Sequence, residues 1–227
     1  MITVCEVTDK NLSQFINFPF DLYKNSPYWV GELKADTRRL LSPKNPFWAH
    51  AVNKMFLAYK DGVLAGRIMA LVNRAHNAYH HENIGFFGFF DVIQDAEVSH
   101  ALFNAGEAWL RAQGVQAVRG PANPSSNHVY GLLVNKFDTM PAIMMPYNFP
   151  YYAELIEKEG FTKIKDVLAF HRTKNEQISP RFLKVCERCM RAKGITLRRL
   201  NLKHIEQEAE IIRRIYNSAW AENWVPT

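Results

Sequence analysis

The segment from Met55 to Val72 limits what this chain can fold into more than any other. Two apolar runs, Met55-Phe56-Leu57-Ala58-Tyr59 and Val63 through Val72, flank Lys60-Asp61-Gly62. Asp-Gly between such runs marks a β-hairpin, because the turn needs positive φ values that glycine adopts without strain. A lone hairpin is marginal in water, so the rest of the chain has to supply strands and helices that cover it. Ile84-Gly85-Phe86-Phe87-Gly88-Phe89-Phe90 reads as a further buried strand, its glycines permitting a bulge or a close backbone approach. Residues 96–113 place Val98, Ala101, Leu102, Ala105, Trp109 and Ala112 at helical steps, with Asp95 as N-cap and Gly114 as stop.

Shorter signals fill in the order. Ile2–Val7 reads as a strand and Asp9–Tyr23 as a helix. Val115–Val118 reads as a strand, and the proline-punctuated stretch from Gly120 to Pro150 as mostly loop. Tyr151–Glu159 reads as a short helix closed by Gly160, and Thr162–Phe170 alternates like a strand. The expected class is a mixed-sheet α/β (α+β) domain over residues 1–172, with a linker at 173–179. Residues 180–227 then read as helix, strand and helix: Ser179-Pro180 opens the first helix, Ile195–Leu200 is the strand, and His204–Trp220 is the last helix. Ile195-Thr196-Leu197, Tyr216 and Trp224 echo Ile2-Thr3-Val4, Tyr23 and Trp29. We therefore expect residues 180–227 to open a second copy of the first domain, with possible self-association through the apolar stripe of the last helix.

Charge and cysteine content narrow the function classes. Residues 163–227 hold 14 Lys/Arg against 7 Asp/Glu, and residues 1–162 hold 14 against 15. The basic part lacks the interleaved aromatics of a nucleic-acid surface, so a solvated helix face is expected and nucleic acid is not. No basic segment followed by an apolar core opens the chain, so no secretory leader is expected. No apolar run approaches bilayer-spanning length. Three cysteines, Cys5, Cys186 and Cys189, do not make a disulfide framework. The expected location is the cytoplasm, with no membrane partner.

The order of elements resembles the GNAT acyl-CoA N-acyltransferase superfamily. Phe56 through Ile68 resembles that superfamily's central hairpin, and Glu157-Lys158-Glu159-Gly160-Phe161 its recurrent helix end. Four further segments resemble the YghO-like bacterial branch: Gly85 through Asp91, Gly120-Pro121, Gly131-Leu132-Leu133 and Tyr147-Asn148-Phe149-Pro150-Tyr151-Tyr152. Members of that branch are longer and continue into a second GNAT-like unit. The resemblance implies an acyl-CoA-dependent N-acyltransferase that passes an acyl group, from acetyl-CoA or another acyl-CoA, to a small-molecule or peptide amine. It also implies a cleft between Ile84–Asp91 and Val115–Val118. Within that cleft Phe89, Phe90, Asp91, Asn123, Ser126, Asn127 and Asn148 are the candidate cofactor-binding residues. Asp91, His128, Tyr147 and Tyr152 are the candidates for proton transfer.

Two departures qualify that implication. The superfamily's glycine-rich turn for the CoA diphosphate is replaced by Val92-Ile93-Gln94-Asp95-Ala96-Glu97-Val98, which puts two carboxylates where a diphosphate belongs. The position of the superfamily's acidic tyrosine is Ile156, leaving Tyr151 or Tyr152 as substitutes or as packing residues. Two other readings therefore stay open: a GNAT fold that binds without CoA, and a Fem-type transferase with another acyl donor.

Other motifs point to structure. His76 and His80 are four apart, but Asn77 breaks the metalloprotease pattern, so a polar loop without metal is expected. Cys186 and Cys189 share a helical face with Phe182 and Met190 and read as core. Asn123-Pro124-Ser125-Ser126-Asn127-His128 is either a binding loop with His128 as base, or turn chemistry. Arg67 reads as half of a structural ion pair.

Overall fold

In the computed structural model, which describes residues 1–171, 173 and 178–220, the chain divides into two compact units near Lys165 and Asp166. The first unit is built on a five-stranded sheet in the order β1-β2-β3-β4-β5. These strands are Ile2–Glu6, Ala51–Lys60, Val63–Asn73, Ile84–Val92 and Ala117–Arg119. The first four are antiparallel neighbours, and β5 joins β4 in parallel. This mixed sheet, with a helix between its two parallel strands, is the GNAT-type arrangement expected above. The hairpin turns at Asp61 and Gly62, with φ of 50° and 81°.

One bulge decides how the sheet is covered. Met69 pairs with Gly88 and Arg67 with Asp91, so Phe89 and Phe90 both lie opposite Ile68. Phe89 takes φ of 45°, and the extra residue shifts the side-chain alternation. Phe86 and Phe89 therefore fall in one cluster with Phe15 and Ile16 of α1 (Leu12–Leu22). Phe87 and Phe90 fall in the other, with Val98, Leu102 and Phe103. These last three lie on α4 (Ala96–Ala112), the helix that follows β4. α2 (Lys34–Leu41), α3 (Arg74–His80) and α5 (Tyr152–Lys158) complete the unit, with a two-residue pairing of β6 (Ala122–Asn123) and β7 (Val129–Tyr130).

The second unit carries α6 (Pro180–Ala192) and α7 (Ile205–Ala219). Ser179 caps α6 as its sequence requires, its hydroxyl accepting from the Phe182 amide at 3.2 Å. Two expected strands are absent: Thr162–Phe170 and Ile195–Leu200 are irregular and largely exposed. Alternation alone does not hold a strand, because its backbone groups need a partner ladder. The core role expected for Cys186 and Cys189 also fails, since α6 buries none of its residues. Most of the linker at 173–179, and Trp224 of the repeat, lie outside the described residues. Among the described residues no helix is long and apolar enough to cross a membrane.

Candidate active site

The bulge delivers Asp91 to the end of β4, where it is 9% exposed. A carboxylate so buried must be paired, and Arg67 pairs it across the sheet with Nε and Nη2 at 2.7 and 2.6 Å from Oδ2. The guanidinium also donates from Nη1 to the Phe15 carbonyl at 2.7 Å and lies over the Phe15 and Phe89 rings. The structural ion pair expected of Arg67 is thus formed, and its partner is a candidate site residue. The second carboxylate oxygen accepts from the Tyr23 hydroxyl at 2.9 Å, and Tyr23 meets the Tyr152 hydroxyl at 2.8 Å. The Val92 amide donates to the Tyr152 oxygen at 3.1 Å, and Tyr151 donates to the Val92 carbonyl at 2.7 Å.

Tyr23 is the site residue that sequence reasoning missed. It ends a helix 68 residues before its acid partner, and nothing local marks it as polar and buried. Around it the rings of Trp29, Phe149 and Tyr147 close at 5.3, 4.8 and 5.6 Å. Tyr147 reaches Ser26 with its hydroxyl at 2.7 Å. The half-buried members of this cluster give the network an apolar, aromatic cover.

Burial first, and the Asp91 charge second, push both the Tyr23 and Tyr152 hydroxyls well above the tyrosine value of 10.0. In the unfolded chain both ionise near pH 10, while in the folded chain they keep their protons. The stability they contribute is therefore complete below pH 10 and falls as pH rises from there toward the folded values. Each tyrosine is expected to remove about 1.4 kcal/mol per pH unit above that point. Urea midpoints taken between pH 9 and 11.5 check this, and Tyr23→Phe should flatten the slope.

Beyond β5 the chain stays against β4. A Cβ on Gly88 would collide with the Ala122 carbonyl, which is why this position needs glycine. Asn123 then accepts the Phe89 amide on Oδ1 at 2.6 Å. The backbone N–H that the bulge turns outward is thus already bonded by a candidate binding residue. Asn123 pairs with Val129 across the small hairpin, and His128 stands beside it. The His128 Nδ1 is 3.0 Å from the Ser125 hydroxyl, which also accepts the Asn127 amide at 3.3 Å. Turn chemistry therefore accounts for Ser125. Burial lowers the His128 pKa, so its imidazole is neutral at pH 7. Ser126 is half-buried and Asn127 exposed in the same loop.

Asn148 is 5% exposed and clamps a loop at its neck. It accepts the Leu133 amide at 2.8 Å and donates to the Leu133 carbonyl at 3.1 Å. The structure thus brings Asp91, Tyr147 and Tyr152 into one cluster. Phe89 and Asn123 meet beside it, Phe90 packs under Tyr152 at 5.5 Å, and Asn148 holds the loop that leads into it.

The resemblance to the GNAT superfamily would put CoA's diphosphate at the N-terminus of α4, and the residues present do not fit it. Asp95 Oδ1 accepts the Glu97 and Val98 amides at 3.0 and 3.2 Å. Its other oxygen pairs with Lys60, whose ammonium also lies 4.0 Å from Glu97. Two of the amides a phosphate would use are taken, and two carboxylates stand beside them.

The remaining motifs serve the fold. The histidines expected in a loop lie on α3, where His76 is buried and meets Glu82 at 3.0 Å. Glu82 in turn pairs with Arg119 at 3.2 Å. Among the described residues no group of three or more potential ligands is placed to hold a metal ion.

No family model matches the chain. It is 37% identical over 215 residues to the protein YghO of Escherichia coli (strain K12), covering 94% of this chain and 55% of YghO. It is 33% identical over 219 residues to a bacterial ceramide synthase of Caulobacter vibrioides (strain NA1000 / CB15N), covering 96% of this chain and 57% of that enzyme. The chain thus spans little more than half the length of these relatives. Among solved structures, an aminoglycoside acetyltransferase from an uncultured soil sample, in complex with trehalose, superposes with a TM-score of 0.47 at 15% identity, over 76% of this chain and 95% of its own. A predicted acetyltransferase from Clostridium acetobutylicum, with acetyl-CoA, superposes with a TM-score of 0.46 at 8% identity, over 75% and 96%.

Proposed function

We propose that this chain, which belongs to the YghO-like branch and carries the GNAT-type sheet described above, transfers an acyl group from a thioester to the amine of a long-chain acceptor. The observation that carries this reading is the bulged end of β4, where a buried acid–tyrosine network lies under an aromatic cover. A relative named a ceramide synthase supports the acceptor class, since a ceramide is a long-chain amine carrying an amide-linked acyl group. The rings of Trp29, Tyr147 and Phe149 are apolar surface of the kind a long-chain acceptor needs.

The chemistry needs a free amine to attack the thioester carbonyl. A C–N bond forms, the C–S bond breaks, the amine loses a proton and the thiolate gains one. His128, kept neutral by burial, is the group proposed to take the amine's proton. The tyrosines keep their protons at neutral pH and spend their hydroxyls on Asp91, Val92 and each other, so they hold the bulged end of β4 in shape. The proton that His128 takes from the amine is the one returned to the leaving sulfur. Asp91, neutralised by Arg67, positions the tyrosines.

The test is release of free thiol from an S-palmitoyl thioester, with and without a long-chain amino alcohol. Amine-dependent release is expected, with a loss of about 100-fold or more in His128→Ala. If no amine-dependent thiol appears, the transferase reading fails. A second reading, binding without chemistry, is favoured by the closed α4 N-terminus. It predicts a thioester that binds the chain and is never consumed.

A further inference from the structure

We infer that the chain's own Asp95 closes the α4 N-terminus to a diphosphate, so that the acyl donor is held by its thioester and pantetheine arm and gains nothing from a nucleotide diphosphate. That the donor is a thioester rests on the function proposed above; the closure rests on geometry alone.

A helix N-terminus attracts anions because its first amides lack partners and its dipole end is positive. Here both attractions are drawn on within the chain. Asp95 Oδ1 accepts from the amides of Glu97 and Val98, two of the donors that a phosphate oxygen would use. The Asp95 charge offsets the positive end of the dipole, and its second oxygen engages Lys60. That ion pair joins β2 to the start of α4, because Lys60 ends β2. Glu97, 79% exposed and within reach of the same ammonium, adds a second negative charge. An incoming diphosphate would have to displace a bonded carboxylate, detach its lysine and remain beside Glu97. Any one of these costs affinity, and together they turn this helix start against the nucleotide end of CoA.

The same geometry says what would open the site. Serine is as good an N-cap as aspartate. Asp95→Ser therefore keeps the helix start, removes the charge and frees Lys60 to meet an anion. Asp95→Asn keeps a side chain of the same size and is a second route to the uncharged state.

The measurement is calorimetric binding of CoA and of pantetheine, which differ by the 3′-phosphoadenosine and the diphosphate, to the 227-residue chain and its variants. In the wild-type chain CoA is expected to bind no more than about threefold tighter than pantetheine. In Asp95→Ser, CoA is expected to gain at least tenfold while pantetheine stays unchanged, and adding Lys60→Met should remove the gain. Circular dichroism confirms that α4 persists, and Asp95→Asn replaces Asp95→Ser if it does not. A wild-type chain that prefers CoA over pantetheine by tenfold or more would overturn the inference. So would folded Asp95→Ser and Asp95→Asn variants that bind CoA no better than wild type. Neither result depends on thiol release, so failure of the transferase reading leaves this comparison standing.

Discussion

Arg67→Met is expected to lower the unfolding free energy by about 3–5 kcal/mol, the usual effect of stripping one partner from a buried ion pair. Its side chain is 9% exposed and that of Asp91 12%, so the carboxylate left behind could not recover its hydration. The substitution also removes the hydrogen bond to the Phe15 carbonyl and leaves that acceptor buried. Adding Asp91→Asn should restore a large part of the loss, because the unpaired charge is then gone while an oxygen remains for Tyr23. Urea denaturation of the wild type, both single variants and the double variant gives the coupling directly. A loss below about 1 kcal/mol in Arg67→Met would mean that water reaches the pair, and the site would then be an open cleft rather than a closed network. The double variant also separates fold from function. If it is stable and still transfers acyl groups at the wild-type rate, Asp91 has no part in the reaction.

How much of this was legible beforehand depends on the range over which each residue acts. The hairpin at Asp61-Gly62 and the Asp95 cap were readable because their causes lie within a few residues. The bulge was foreshadowed by the glycines of Gly85-Phe86-Phe87-Gly88, but its effect was not. Which face each phenylalanine takes depends on a register count against β3 that no local pattern contains. Tyr23 was invisible as a site residue for the same reason, since its partners Asp91 and Tyr152 lie 68 and 129 residues away. His76, His80 and their neighbours read as a loop because a seven-residue helix offers little periodicity. Asn148 is a cofactor candidate through the family resemblance. Its side chain bonds the backbone of Leu133 and Phe149, and a neck clamp has no sequence signature. The strands expected at Thr162–Phe170 and Ile195–Leu200 show the converse: the alternation is there, and the neighbour that would fix it is not.

The amides of α7 are expected to exchange about a thousandfold or more faster than those in the middle of β3 and β4. The central strands report the global stability of the first unit, while a weakly covered helix opens locally at far lower free energy. In α7, Ile205, Ile212, Ile215 and Tyr216 are 52, 49, 63 and 39% exposed, and Glu208 is its one buried residue. An isolated helix of this length is marginal in water, so its apolar stripe calls for a cover. α6 shows the same pattern, with Phe182, Leu183 and Val185 about half exposed. This is what the proposal that residues 180–227 open a second GNAT-like unit requires, and relatives almost twice as long have the sequence to complete one. The same stripe should make the 227-residue chain self-associate as its concentration rises, and α7 protection should rise with it. Hydrogen exchange at low and high protein concentration, with sedimentation in parallel, reads both effects. Strong, uniform protection across Ile205–Ala219 in a proven monomer would mean that the helix already has its cover within this chain, and the proposal of an opened second unit would fall.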